Sequence, residues 1–170
     1  LFGQGLWIHA KAYAAQILLE RAFTRSIASG DKVKPWSWAD TWPVARIEAP
    51  RLAASAIALN GASGQALAFG PGHLQNTPKA GETGTAVYAA HRDTHFAFLK
   101  DVEKGDLIRI TRDDGKIFTY RATQMTVTRW DEAQIDIHAS GSYLVLATCY
   151  PFEAVTQGPL RYLVYAELEE

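Results

Sequence analysis

Between Gly5 and Ser26 the residues Leu6, Ala10, Tyr13, Ala14, Ile17 and Leu18 recur at three- and four-residue spacing, with Lys11, Glu20 and Arg25 among them. That period is the turn of an α-helix, so the spacing predicts an amphipathic helix with those six residues on its apolar face. Gly30 follows the last basic residues and Pro35 lies shortly beyond, as expected where a helix stops. Trp36, Trp38, Trp42 and Pro43 then form an irregular strap. It either docks the helix onto the body by burying aromatic area or makes a lid over a binding groove.

Beyond Pro43 the texture changes to short apolar runs broken by Gly, Pro and Asp, the pattern of an all-β sandwich or barrel. Candidate strands are Val44–Ile47, Ser55–Leu59, Thr85–Ala90, Leu107–Thr111, Ile117–Val127, Tyr143–Thr148 and Tyr162–Glu167. The hairpin joining the fourth and fifth is the clearest, because Asp113-Asp114-Gly115 supplies turn residues between β-rich runs. Phe118, Tyr120 and Ala122 alternate with Thr119 and Arg121, which predicts one buried and one wet face. Gly70-Pro71-Gly72-His73 with Gln75-Asn76-Thr77-Pro78 reads as an ordered loop or a single helical turn. The stretch from Thr94 to Leu99 is long enough for one or two turns at the rim of the sheet. Residues 1–43 thus form an N-terminal helix and strap, and residues 44–170 a mainly β domain.

Composition narrows the function classes. A chain of 170 residues favours one compact domain, and 48% apolar with 21% charged residues is globular rather than disordered. Seventeen basic against eighteen acidic side chains leave a net charge of -1, which disfavours nucleic acid as a partner. No run reaches the ~18 apolar residues of a membrane span. The chain opens at Leu1 and its single methionine is Met125, so the translated start is missing and any signal or anchor segment upstream is invisible. The one cysteine, Cys149, excludes an internal disulfide and a cysteine-based zinc site. Asp113-Asp114 is too small a cluster for calcium, which takes about six to eight oxygens.

Cys149 closes the apolar run Tyr143-Leu144-Val145-Leu146-Ala147-Thr148, and Pro151 ends strand pairing soon after it. A thiol there is either a small buried hydrophobe or a nucleophile at the sheet edge. As a nucleophile it needs a histidine or cation nearby, because an unperturbed thiol of pKa about 8.5 is only slightly ionised at neutral pH. His91 ends the run Thr85-Ala86-Val87-Tyr88-Ala89-Ala90 as Cys149 ends its own, so the two can converge on one rim. His9 lies in the helix, His138 in a polar loop, and His73 braces the glycine-rich loop; His95, four residues past His91, has no third ligand at metal spacing. Arg161 begins the final strand, and antiparallel pairing with the strand ending at Cys149 would bring it to the same rim. There it is either a surface arginine or a fixed cation for a developing oxyanion. Thr148 either shapes a pocket or packs as a strand threonine, and Asp93 either orients His91 or caps the turn after it.

Val145-Leu146-Ala147-Thr148-Cys149 resembles the Thr-Leu-x-Thr-Cys signature of the sortases, with Val145 in place of the first threonine. Arg161 falls where their last-strand arginine does. Ala90-His91-Arg92-Asp93-Thr94 is similar to their Gly-His-Arg segment, with Ala90 in place of the glycine, and Gly70-Pro71-Gly72-His73 is similar to a loop often found before it. The ordered match covers roughly residues 44–167, and Cys149-Tyr150-Pro151-Phe152 is most similar to the branch found in Gram-negative bacteria. The resemblance implies a closed eight-stranded β-barrel with short helices and a cysteine transpeptidase acting on a protein with a Leu-Pro-x-Thr-Gly-like sorting signal. It casts Cys149 as the nucleophile that forms a thioacyl enzyme, His91 as proton donor to the leaving amine, and Arg161 as stabiliser of oxyanion and substrate backbone. An amine acceptor completes the cycle and no cofactor is required. The resemblance makes the segment from Trp130 to Ser142 a wall of the substrate groove, with Trp130 and Ile135 as its apolar contacts. It also implies anchoring in a bacterial inner membrane through an N-terminal segment, the catalytic domain facing the periplasm. A cysteine hydrolase on the same fold and a non-catalytic peptide-binding module are the alternatives.

Overall fold

The short apolar runs after Pro43 resolve into β1 (Pro43–Ala49), β2 (Ala54–Asn60), β3 (Gly72–His73), β4 (Gly84–Ala89), β5 (Leu107–Arg112), β6 (Ile117–Arg129), β7 (Ser142–Cys149) and β8 (Leu160–Leu168). They precede or follow two helices, α1 (Phe2–Ser29) and the single-turn α2 (Gly64–Leu67). This computed structural model describes residues 2–169. Hydrogen bonding runs β1-β2-β3-β4-β7-β8-β6-β5 and returns from β5 to β1, so the sheet is a closed barrel. Closure removes the unpaired edges that an open sheet of this size would present. The mainly β, eight-stranded barrel expected from the sequence is the fold observed.

Strand alternation divides the barrel into an inside and an outside. Ala45, Ile47, Ala86, Tyr88, Ile108, Ile110, Tyr120, Leu144, Leu146 and Val164 fill the interior, joined from the rim by Phe96 and Leu99. Phe96 and Leu99 belong to the expected turns after His91, where a 3-10 helix covers Ala97–Asp101. The Asp113-Asp114-Gly115 hairpin is present, with Leu107–Thr111 paired to Ile117–Arg121. Arg112 forms an ion pair with Asp114 across that turn.

Two expectations are corrected. The loop Gly70–His73 contains strand β3, which pairs parallel with β2 and antiparallel with β4 and so bridges two halves of the barrel. Its local sequence carries no β signal; pairing alone creates it. Gly72 allows the approach, because a Cβ there would collide with the carbonyl oxygen of Gly61. His73 is buried, with Nε2 at 2.8 Å from the Pro78 carbonyl oxygen, and braces the loop as expected.

The second correction concerns α1. Gly30 ends it in the left-handed region (φ 78), donating to the Ser26 carbonyl. The face against the barrel is Ala12, Ala15, Leu19, Ala22, Phe23 and Ser26, whereas Leu6 and Tyr13 of the predicted face are 73% and 72% exposed. Periodicity located the largest apolar side chains, but small alanines on another face let the helix lie close to β2. Leu19 and Phe23 pack on Ile57, Leu59 and Ala66. Gln16 completes the contact: its amide donates to the carbonyls of Ile57 and Phe69, and Oε1 accepts from Ile57 N–H at 2.8 Å. Because β3 pairs only with the end of β2, Gln16 satisfies a stretch of strand edge that would otherwise be bare. The Arg46–Glu20 ion pair (2.6 Å) adds a polar clasp.

The strap runs along the same side. Trp36 meets the edge of Phe69 with centroids 4.9 Å apart, Lys32 lies over Trp42, and Trp38 is 82% exposed. Among the described residues no helix is long and apolar enough to cross a membrane.

Candidate functional site

On the opposite side of the barrel, the outward faces of β4, β7 and β8 carry a second apolar cluster, Val87, Val145 and Leu163. Leu74, Ala133, Ile135 and Ala147 pack against it and leave its three residues buried. Above it lies a groove of about 770 Å³, its floor made by Val87 and Leu163 with Leu74, Ala133, Ile135 and Ala147. His91, Thr148, Cys149, Arg161, Trp130 and Ile135 all line it.

Register explains the convergence. Parallel pairing sets Ala89 level with Ala147, and Ala90 N–H donates to the Ala147 carbonyl at 3.2 Å. Two residues beyond that level stand His91, just past the end of β4, and Cys149, the last residue of β7. Antiparallel pairing sets Cys149 directly opposite Arg161. Directly opposed residues point to one face with Cβ atoms about 4.5–5.5 Å apart, so thiol and guanidinium share the groove side. The half-buried Cys149 thus lies between the strand that delivers His91 and the strand that delivers Arg161.

Arg161 is held by its own loop. Its Nη1 donates to the carbonyls of Gly158 (2.8 Å) and Leu160 (2.9 Å), which fixes one edge of the guanidinium against backbone. A planar fork fixed in this way presents its remaining N–H groups in a defined direction, as a site for a developing oxyanion requires. His91 is exposed at the mouth of the groove.

Thr148 borders the groove and also packs as a strand threonine. Alternation turns it toward the interior beside Leu144 and Leu146; it is 3% exposed, and its hydroxyl donates to the Ala90 carbonyl at 2.7 Å. That bond clamps the end of β7 to the residue preceding His91. Trp130 stands 63% exposed at the rim, while Ile135 packs onto the floor. Asp93 lines the groove but forms no hydrogen bond with His91, and the turn at Ala97 has no side-chain cap.

His95 is a neighbour that spacing left without a role. Burial, with a contribution from His91, lowers its pKa to about 4, so it is a neutral imidazole beside the catalytic candidate at neutral pH. His9 and His138 are exposed on α1 and on the loop before β7. Among the described residues no group of three or more His, Cys, Asp or Glu side chains is placed to ligate a metal ion.

Sequence reasoning missed the loop between β7 and β8. Phe152, Glu153, Ala154, Val155 and Gln157 form a whole wall of the groove. The only signal was Pro151 and Gly158 bounding a strand-free stretch. Phe152 packs on Tyr162 (5.1 Å between centroids), which anchors the start of this wall to β8.

Comparison with known proteins agrees with the fold. The family model described as Sortase domain matches residues 47–169. Sortase D of Bacillus subtilis is 32% identical over 122 residues, covering 71% of this chain and 61% of that protein. The chain therefore spans less than two thirds of that relative's length. Among solved structures, a Clostridium perfringens Sortase D5 transpeptidase superposes with a TM-score of 0.72 at 20% identity, over 95% of this chain and 99% of that one. Sortase C-1 from Actinomyces oris superposes with a TM-score of 0.66 at 28% identity, over 75% of each chain. These relatives come from Gram-positive bacteria and do not support the Gram-negative branch suggested by Cys149-Tyr150-Pro151-Phe152.

Proposed function

Since the chain belongs to the sortase family, we propose that it is a cysteine transpeptidase working through Cys149, His91 and Arg161. The observation that carries this reading is the strand register that sets Cys149 opposite Arg161 and level with the end of the His91 strand, above one apolar groove. An extended peptide with apolar side chains suits such a groove, and a Leu-Pro-x-Thr-Gly-like sorting signal on a protein substrate is that kind of ligand.

The Cys149 thiolate attacks the scissile carbonyl carbon, a C–S bond forms, and the negative charge on oxygen is met by the guanidinium of Arg161. Collapse breaks the C–N bond, and the protonated His91 gives its proton to the departing amine. A second amine then attacks the thioester, His91 removes its proton, the C–S bond breaks and a new amide is released. Arg161 acts at both tetrahedral stages. Trp130 and Ile135 contact the apolar part of the signal.

The setting is the cell envelope, as for the family. Attachment to a membrane through a preceding N-terminal segment belongs to this proposal; an inner-membrane, periplasm-facing position rests further on the Gram-negative branch. The amine decides between transfer and hydrolysis. Incubating the enzyme with a signal peptide, with and without a glycyl peptide as acceptor, should divert the acyl product from free acid to the new amide as acceptor concentration rises. Free acid alone, whatever amine is supplied, would identify a hydrolase.

A further inference from the structure

The wall formed by the β7–β8 loop is attached unevenly. Its first residues are held by the Tyr150, Phe152 and Tyr162 rings and by Tyr150 N–H donating to the Leu160 carbonyl. Its last residues are held by Arg161 on the Gly158 carbonyl and by Trp130 N–H on the Pro159 carbonyl. Between these anchors, Val155 is 97% exposed. The bond that reaches this middle stretch comes from across the groove: Arg92 Nη2 donates to the Thr156 carbonyl at 2.7 Å.

Arg92 follows His91 directly, so this bond joins the loop that carries the proton donor to the loop that walls the substrate. The other end of the fork is costly. Arg92 Nη1 is buried with no acceptor, and so are Thr94 Oγ1 and His95 Nδ1, all in one short segment. Buried polar atoms are normally paired, and an unpaired charged nitrogen is unfavourable. Local rules of this kind are broken at functional sites.

We propose that Arg92 is a positioning residue that ties the β7–β8 wall to the His91 loop and so sets the width of the substrate groove. The inference rests on the sortase reading for its effect on turnover, but the tie itself does not depend on that reading. Without Arg92 the middle of the loop has only its own turn, Ala154 N–H on the Pro151 carbonyl at 3.3 Å, and the groove loses a fixed wall. The acyl-forming atoms are untouched, so the deficit falls on peptide binding.

The test uses the whole chain, its Arg92→Ala variant and Arg92→Lys, whose ammonium can still donate to one carbonyl. Hydrogen exchange is followed by mass spectrometry over residues 153–157, and KM and kcat are measured with a signal peptide that acylates the wild type. In Arg92→Ala, exchange over 153–157 should speed up about tenfold while the strands keep wild-type protection. KM should rise about tenfold, with kcat within about twofold, and Arg92→Lys should recover part of both changes. Unchanged exchange over 153–157 would overturn the tie, and a fall in kcat at constant KM would overturn the positioning role. A wild type that accepts no peptide would sink the transpeptidase reading, leaving the exchange comparison to judge Arg92.

Discussion

On the β1–β2 side of the barrel, Ile57 and Leu59 face outward and are roofed by Leu19 and Phe23 of α1. On the β4–β7–β8 side, Val87, Val145 and Leu163 face outward beneath Leu74, Ala133, Ile135 and Ala147, and a groove rather than a helix lies above them. Both patches arise in the same way, from strands apolar on both faces. They differ in what surrounds them. The roofed patch is sealed by Gln16 hydrogen bonds and the Arg46–Glu20 pair, which satisfy backbone and hold the helix. The groove on the other side is bordered by a thiol, an imidazole and a guanidinium. A groove lined by apolar side chains, roofed by no helix and bordered by such groups, is a place for substrate.

The contrast predicts that mutations on the two sides separate stability from activity. Phe23→Ala removes a fully buried ring from the roofed side and should cost about 3–5 kcal/mol of stability by denaturant unfolding. The folded fraction should keep its turnover, since Phe23 is remote from the groove. A cost below about 1 kcal/mol would mean that α1 is a loose attachment and the two patches are less different than described.

Acid should act first on the groove side. His95 has its pKa lowered from 6.5 to about 4 by burial and by His91, so the unfolded chain binds the proton more readily than the folded one. Its contribution is therefore complete above about pH 6.5 and is lost as pH falls toward 4, amounting to about 3 kcal/mol. Unfolding free energies measured across this window should show that slope, and His95→Phe should flatten it. An unchanged slope would assign the acid sensitivity elsewhere, His73 being the other histidine whose pKa burial lowers.

Arg161→Lys should leave stability within about 0.5 kcal/mol and lower kcat/KM about ten- to a hundredfold, because a point charge cannot hold the Gly158 and Leu160 carbonyls and still face an oxyanion. Near-wild-type turnover would remove Arg161 from the mechanism.

What could be read from the chain follows the same division. Strands with strong β composition, such as Tyr143–Thr148 and Ile117–Val127, were legible to within about two residues because burial and propensity agree there. Strand β3 was not, since a Gly-His pair becomes a strand only through its neighbours on both sides. The helix was legible but its face was not: the barrel selected Ala12, Ala15 and Ala22, and packing distance rather than hydrophobicity made that choice. His91, Cys149 and Arg161 were legible because each lies where a strand begins or ends, a position that sequence patterns mark. Thr148 could not be assigned without its partner, the Ala90 carbonyl. Arg92 was visible as a letter, but its bond to Thr156 spans two loops whose meeting no local pattern encodes.

The central claim is that the groove beside β4, β7 and β8 serves acyl transfer through Cys149. Intact-mass spectrometry of the wild type and of Cys149→Ala tests it directly, each incubated with a pool of Leu-Pro-x-Thr-Gly-like peptides and then with hydroxylamine. The account predicts an acyl adduct on the wild type alone, released by hydroxylamine as the hydroxamate, with both proteins equally folded. An adduct that persists in Cys149→Ala, or a folded wild type that gives neither adduct nor cleavage, would contradict it.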